Sequence, residues 1–157
     1  MWNNMNKWKK TVCLALAGLS LAACSKSLSL DPADTVANLQ GKLSFTDQMA
    51  ELTPEKAYQI YGVQEELVQN CAALRGSGAT AESFSVWQAK DADSAEQLEE
   101  QLGDFLQNWI EGYADYKPEE VPKLESAVLE QQGCYVILCV SADNENAGKL
   151  IGQVLNP

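Results

Sequence analysis

The order of apolar runs predicts an α+β fold. The expected form is a two-layer sandwich with one four-stranded antiparallel sheet in ββαββα order, preceded by two short helices. Three observations carry this. Two pairs of apolar runs are separated by turn signals, Gly76-Ser77-Gly78 and Gln132-Gly133, which make hairpins and therefore antiparallel strands. The segments after Ser94 and after Asp143 carry apolar residues at helical spacing. Amphipathic helices need an apolar partner, and a sheet face supplies one.

Each element has a local reason. Asp31-Pro32 opens the first helix, on which Val36, Leu39 and Leu43 recur at helical spacing. Thr53-Pro54-Glu55 puts a cap residue before a first-turn proline, so a second short helix runs to about Tyr61, where Gly62 can stop it. Glu66 to Arg75 would suit a helix face through Leu67, Cys71 and Leu74. The glycine turn that follows, and the run Glu82 to Lys90 with Phe84, Val86 and Trp87, favour two hairpin strands instead. Ser94 and Gln97 match a capping box. Leu98, Leu102, Phe105 and Trp109 then form one stripe on a helix expected to end near Tyr113, with Glu96, Glu99, Glu100, Asp104 and Glu111 off the stripe. Pro118 and Pro122 interrupt the next stretch. Ala127 to Gln131 and Cys134 to Ser141 read as the second hairpin, the latter apolar on both faces and so a central strand. Asp143 or Asn144 caps a final helix bearing Ala147, Leu150, Ile151 and Val154.

The N-terminus reads as a secretory signal. Lys7, Lys9 and Lys10 precede an apolar run from Thr11 to Ala23, which is too short to span a bilayer of roughly 30 Å. Met5 is an alternative start. The run ends Leu21-Ala22-Ala23-Cys24, which resembles the lipobox of bacterial lipoproteins. That resemblance implies cleavage between Ala23 and Cys24, with a diacylglyceryl group on Cys24. The competing reading is an ordinary signal cleaved nearby. Residues 1–23 are thus expected as signal peptide, 24–30 as lipidated cysteine and short tether, and 31–157 as one domain. The expected location is the outer face of the cell membrane, held by two acyl chains.

Charge and composition exclude several functions. The 157 residues carry 11 Lys plus Arg against 22 Asp plus Glu, and no histidine. The signal would remove three of the lysines and none of the acids, leaving a net charge of −14. Such a chain is a poor partner for nucleic acid, whose phosphates need clustered cations. An anionic membrane surface would repel it, so the lipid has to do the holding. Without imidazole there is no Ser–His or Cys–His pair and no His-ligated metal. Cys71, Cys134 and Cys139 remain after Cys13 and Cys24 are set aside, which allows at most one internal disulfide. Cys134 and Cys139 are an odd number of residues apart in one strand, so they face opposite ways. Cys71 could reach one of them, or all three are buried small hydrophobes.

Three segments together carry a family resemblance: Gly78 to Glu82, Tyr116 to Leu124, and Gly133 to Ser141 with Asp143. Over roughly Thr35 to Leu155 the chain resembles domain of unknown function 4358, a family of small lipoproteins of Gram-positive anaerobes. The resemblance implies a cell-surface lipoprotein and brings no activity or catalytic residues. Cys134 and Cys139 depart from its pattern.

Candidate chemistry is sparse. Gly76-Ser77-Gly78-Ala79-Thr80-Ala81 matches G-x-G-x-x-G/A, but a strand follows where a dinucleotide site needs a helix N-terminus. The expectation is a hairpin turn, with an anion-binding nest of N–H groups as the alternative. Asp91-Ala92-Asp93 and Asp143-Asn144-Glu145 start like calcium loops, yet position twelve is Leu102 in one and Val154 in the other. Helix caps explain them better. Glu96, Glu100 and Asp104 lie on one exposed helix face, not across a cleft as a hydrolytic carboxylate pair would. Cys71 as a nucleophile lacks a histidine base. Tyr113 and Tyr116, beyond a core Trp109, are the candidate binding surface. No cofactor and no metal are expected. The functional expectation is a non-catalytic binding or accessory module of the cell envelope, with an envelope protein as partner. A carboxylate-dependent enzyme acting on cell-wall material, or a purely structural lipoprotein, are the alternatives.

Overall fold

A computed structural model describes residues 28–157. The expected signal peptide, the Ala23–Cys24 cleavage point and the Cys24 lipid site lie outside the described residues. Five helices and five strands follow in the order α1 (Pro32–Gln40), β1 (Ala50–Leu52), α2 (Pro54–Tyr61), β2 (Val68–Arg75), β3 (Ser83–Ala89), α3 (Ala92–Tyr116), α4 (Val121–Glu125), β4 (Val128–Gln132), β5 (Tyr135–Val140) and α5 (Asn144–Leu155). Among the described residues no helix is long and apolar enough to cross a membrane.

All strand pairs are antiparallel, in the order β1-β2-β3-β5-β4. Both expected hairpins are present, and the expected ββαββα order gains the short helix α4 between α3 and β4. The sheet has five strands rather than four. The extra strand, β1, is three residues long and pairs only with β2, too short to show a period of two.

Local signals explain the helix ends. The Asp31 carboxylate accepts from the Asp34 N–H at 2.9 Å and opens α1, and Gly62 closes α2 in the left-handed conformation at φ +66°. The long helix departs from expectation at both ends. Its cap is Asp91, whose carboxylate takes the Ser94 N–H at 2.8 Å, while Gln97 donates to the Asp93 carbonyl instead of completing a capping box on Ser94. It continues to Tyr116 and stops at Lys117, which precedes Pro118 and is pushed out of helical geometry.

The layering corrects the two-layer expectation. Phe84, Val86, Ile137 and Cys139 face α1 and α5, packing on Val36, Leu39, Ala147 and Ile151. Trp87, Ala89, Val136 and Leu138 face the opposite way, onto Ala57 and Tyr61 of α2 and Leu98 and Leu102 of α3. Helices therefore cover both faces of the sheet, in three layers. This is why all six residues of β5 are buried.

Face assignment also settles the cysteines. Cys71, Cys134 and Cys139 are free. Cys71 packs on the α2–α3 side and Cys139 on the α1–α5 side, with the sheet between them. Cys134, beside β5, lies two strands from Cys71, about 9.6 Å at the usual strand spacing, beyond a disulfide's reach.

Candidate functional site

The length of α3 sets up one end of the molecule. Its 25 residues extend about 37 Å, whereas the eight residues of β2 extend about 27 Å. The helix therefore overhangs the sheet at the end where β2 finishes and β3 begins. Phe105, Trp109, Tyr113 and Tyr116 fall on one stripe of it. Their rings follow one another at centroid separations of 5.3, 5.9 and 5.9 Å, and Tyr61 joins the first at 4.7 Å. Trp109 is buried, as its place on the stripe suggested. Tyr113 is half-buried, and its hydroxyl donates to the Gly78 carbonyl at 3.1 Å. Tyr116 is 74% exposed and is the exposed large apolar side chain of the described residues. The two tyrosines expected to form a surface thus stand together, edge to face, with different tasks. Tyr113 pins a loop; Tyr116 is free.

That loop is Gly76 to Glu82, between β2 and β3. It is a hairpin connection, not a dinucleotide loop, since β3 follows it directly. The Ser77 N–H donates to the Asp47 carboxylate at 2.8 Å, and the Ala81 N–H to Glu120 at 2.9 Å. The anion-nest alternative is corrected here: these N–H groups already hold carboxylates of the chain itself. A Cβ at Gly76 would lie 2.8 Å from an Asp47 carboxylate oxygen, so any side chain there would displace the Asp47 carboxylate that holds the Ser77 N–H. Lys117 donates to the Ala79 carbonyl and ties the loop to the end of α3 a second time.

Beneath the loop lies a buried ionic triad that sequence reasoning did not single out. Glu82 is fully buried. Its carboxylate accepts from the N–H and hydroxyl of Thr46 and from the Asp47 N–H at 2.8–3.1 Å. Lys123 stands 3.3 Å from Glu82 and 2.8 Å from Glu120. Burial alone would raise the Glu82 carboxyl, but the Asp47 and Thr46 donors and the Lys123 charge outweigh it and hold it below its ordinary value. Burial likewise opposes ionisation of Glu120, and Lys123 with the Ala81 N–H reverses it. Burial would lower Lys123, and the two carboxylates instead raise it. Both carboxyls are therefore ionised at neutral pH, and neither is a general acid. The arrangement clamps the loops together.

The three segments that carry the family resemblance meet here. Glu82 belongs to the first, and Glu120 and Lys123 to the second. The third joins through Ser141, whose N–H and hydroxyl donate to the Asn144 side chain at 2.7 and 3.1 Å. Asn144 in turn donates to the Lys123 carbonyl at 2.8 Å.

Arg75, the one arginine of the chain, lies beside this end. Its guanidinium carbon is 4.1 Å from the centroid of Trp109, 5.4 Å from Phe105 and 5.9 Å from Tyr61. Its Nη1 is buried without a hydrogen-bond partner among the described residues.

Other candidates resolve into structure. Asp91 and Asp143 are the N-caps of α3 and α5, as the cap reading of the calcium-like segments expected. Glu96, Glu100 and Asp104 are exposed on α3. Among the described residues no group of three or more acids and cysteines is placed to hold a metal. The hollow between α1 and β2 holds about 150 Å³, and a shallower one lined by Gln40, Leu43, Phe45, Asp47, Met49 and Leu74 holds about 470 Å³.

In comparisons with known proteins, the family model described as a domain of unknown function, DUF4358, matches residues 42–141. This is narrower than the Thr35–Leu155 expected and includes all members of the triad and both tyrosines. No curated protein and no solved structure matches the chain.

Proposed function

The chain belongs to the DUF4358 family, and on that footing we propose that it is a lipid-anchored lipoprotein of the cell envelope whose domain binds a protein partner without catalysis. The lipobox-like Leu21-Ala22-Ala23-Cys24 behind a charged and then apolar leader supports the anchor. The observation that carries the binding reading is the Tyr113–Tyr116 pair. The helix end that bears it is fastened to the 76–82 loop through Tyr113 and Lys117, which leaves Tyr116 exposed on a rigid support. An aromatic ring held this way loses little entropy on binding, and tyrosine is frequent among residues that dominate interfaces. The two carboxylates that converge nearby share Lys123 and are held ionised, which favours a structural clamp over acid–base chemistry.

Crosslinking in native membranes tests the reading. The expected result is one dominant protein partner, lost in Tyr116→Ala. Equal crosslinking by wild type and Tyr116→Ala overturns the assigned surface. Acyl labelling that survives Cys24→Ala overturns the anchor.

A further inference from the structure

The two ends of the sheet differ in a way that fixes how a tethered domain would stand. The described chain begins at the end opposite the α3 overhang. Leu28 and Leu30 pack against the α1–α5 core, and the Leu30 N–H donates to the Tyr135 hydroxyl at 3.0 Å. Gln88 donates to the same hydroxyl at 3.3 Å, so the strap is sewn to the ends of β3 and β5. Leu28 shares a hollow there with Gln69, Gln88, Lys90, Gly133 and Cys134.

One feature of this end suits a lipid surface, and it is reach. Leu28 is already packed, so only four Cα steps separate it from Cys24, about 14 Å at full extension. This is shorter than the tether to Leu30 that composition suggested. Leu28 and Leu30 are fixed to the domain, so the attachment point and this end of the sheet move as one body. Charge does not choose between the ends: exposed Glu65, Glu66 and Asp93 stand at this one, and Glu111, Asp115 and Glu119 at the overhang. The tether chooses.

We infer that the end formed by Leu28, Lys90 and the β4–β5 turn at Gly133 faces the bilayer headgroups, and that α3 carries Tyr116 away from the membrane. Tyr116 lies about 36 Å along α3 from Ala92, so the aromatic surface is presented outward to partners that project from the membrane or the wall. This rests on the lipoprotein reading.

The test uses the lipidated full chain purified from membranes and placed in phosphatidylglycerol–phosphatidylcholine vesicles containing a headgroup nitroxide. A fluorophore is coupled to p-azidophenylalanine replacing either Gln132 or Tyr116, both exposed. The mass of the N-terminal peptide reports the lipid. Quenching several-fold stronger at position 132 than at 116 is expected. Lipid on Cys24 with equal or reversed quenching overturns the orientation and leaves the anchor standing. A chain without lipid on Cys24 overturns the anchor, and the orientation with it.

Discussion

Lys123 stands 3.3 Å from the carboxylate of Glu82, a residue 41 positions earlier in the chain and fully buried. That contact joins the start of β3 to α4, and the same ammonium reaches Glu120. In Glu82→Gln, Lys123 keeps Glu120, while the Thr46 and Asp47 donors lose their buried charged acceptor. The substitution is therefore expected to lower unfolding free energy by about 1–3 kcal/mol at neutral pH, measured by urea denaturation.

The pH dependence has a sign for each partner. Glu82 and Glu120 titrate below their ordinary 4.5, so their contribution is complete above 4.5 and is lost as pH falls through the lowered values. Lys123 titrates above its ordinary 10.5, so its contribution is complete below 10.5 and is lost as pH rises through the raised value. The urea midpoint of the wild type should decline below pH 4.5. Glu82→Gln should decline less steeply there; parallel curves would remove Glu82 from the account.

Arg75 sets cation–π attraction to three rings against a buried donor without a partner. The attraction is worth about 1 kcal/mol and the orphaned donor costs about 1–3 kcal/mol. Arg75→Met keeps the packing and removes the orphan, so its stability should lie within about 1 kcal/mol of wild type or above it. Arg75→Ala also leaves a void under Trp109 and should be clearly less stable by the same urea measurement.

Two glycines should respond in opposite directions. A Cβ at Gly112, inside α3, would meet nothing within 4 Å. Gly112→Ala should stabilise by about 0.5–1 kcal/mol through helix propensity. Gly62 closes α2 at φ +66°, where a side chain is strained. Gly62→Ala should cost about 1 kcal/mol. Thermal unfolding of both variants decides.

The thiols should differ in reactivity. Burial pushes the Cys139 thiol up to about 12 and also raises Cys71, which is only half-buried. Alkylation at mildly alkaline pH, mapped by peptide mass, should reach Cys134 and Cys71 in the native protein and Cys139 only after denaturation. A disulfide between Cys71 and Cys139 would contradict their placement on opposite faces of the sheet.

Much of the fold could be read from short stretches of chain. Asp31, Gly62, Gly76 to Gly78 and Gln132-Gly133 act on backbone within a few residues, and each punctuates the chain where local chemistry indicates. Two local caps were on offer for the long helix, Asp91 among the calcium-like acids and the Ser94–Gln97 box, and only the placement of the Ser94 N–H distinguishes them. The run Tyr135 to Val140, apolar on both faces, already implied a strand covered on both sides. A single helical layer was inconsistent with it.

Periodicity tells a helix which of its own faces is apolar. It does not tell the helix which side of a sheet to take, because that depends on how connections cross the sheet ends. So the residues established helices, hairpins, a charge balance and a tyrosine pair, while the fold decided the third layer and set the pair on an overhang. Glu82 shows the reason most plainly. In sequence it is one acid at the start of an apolar run; its partners at Thr46 and Lys123 lie 36 and 41 residues away, and only chain folding brings them within hydrogen-bond distance.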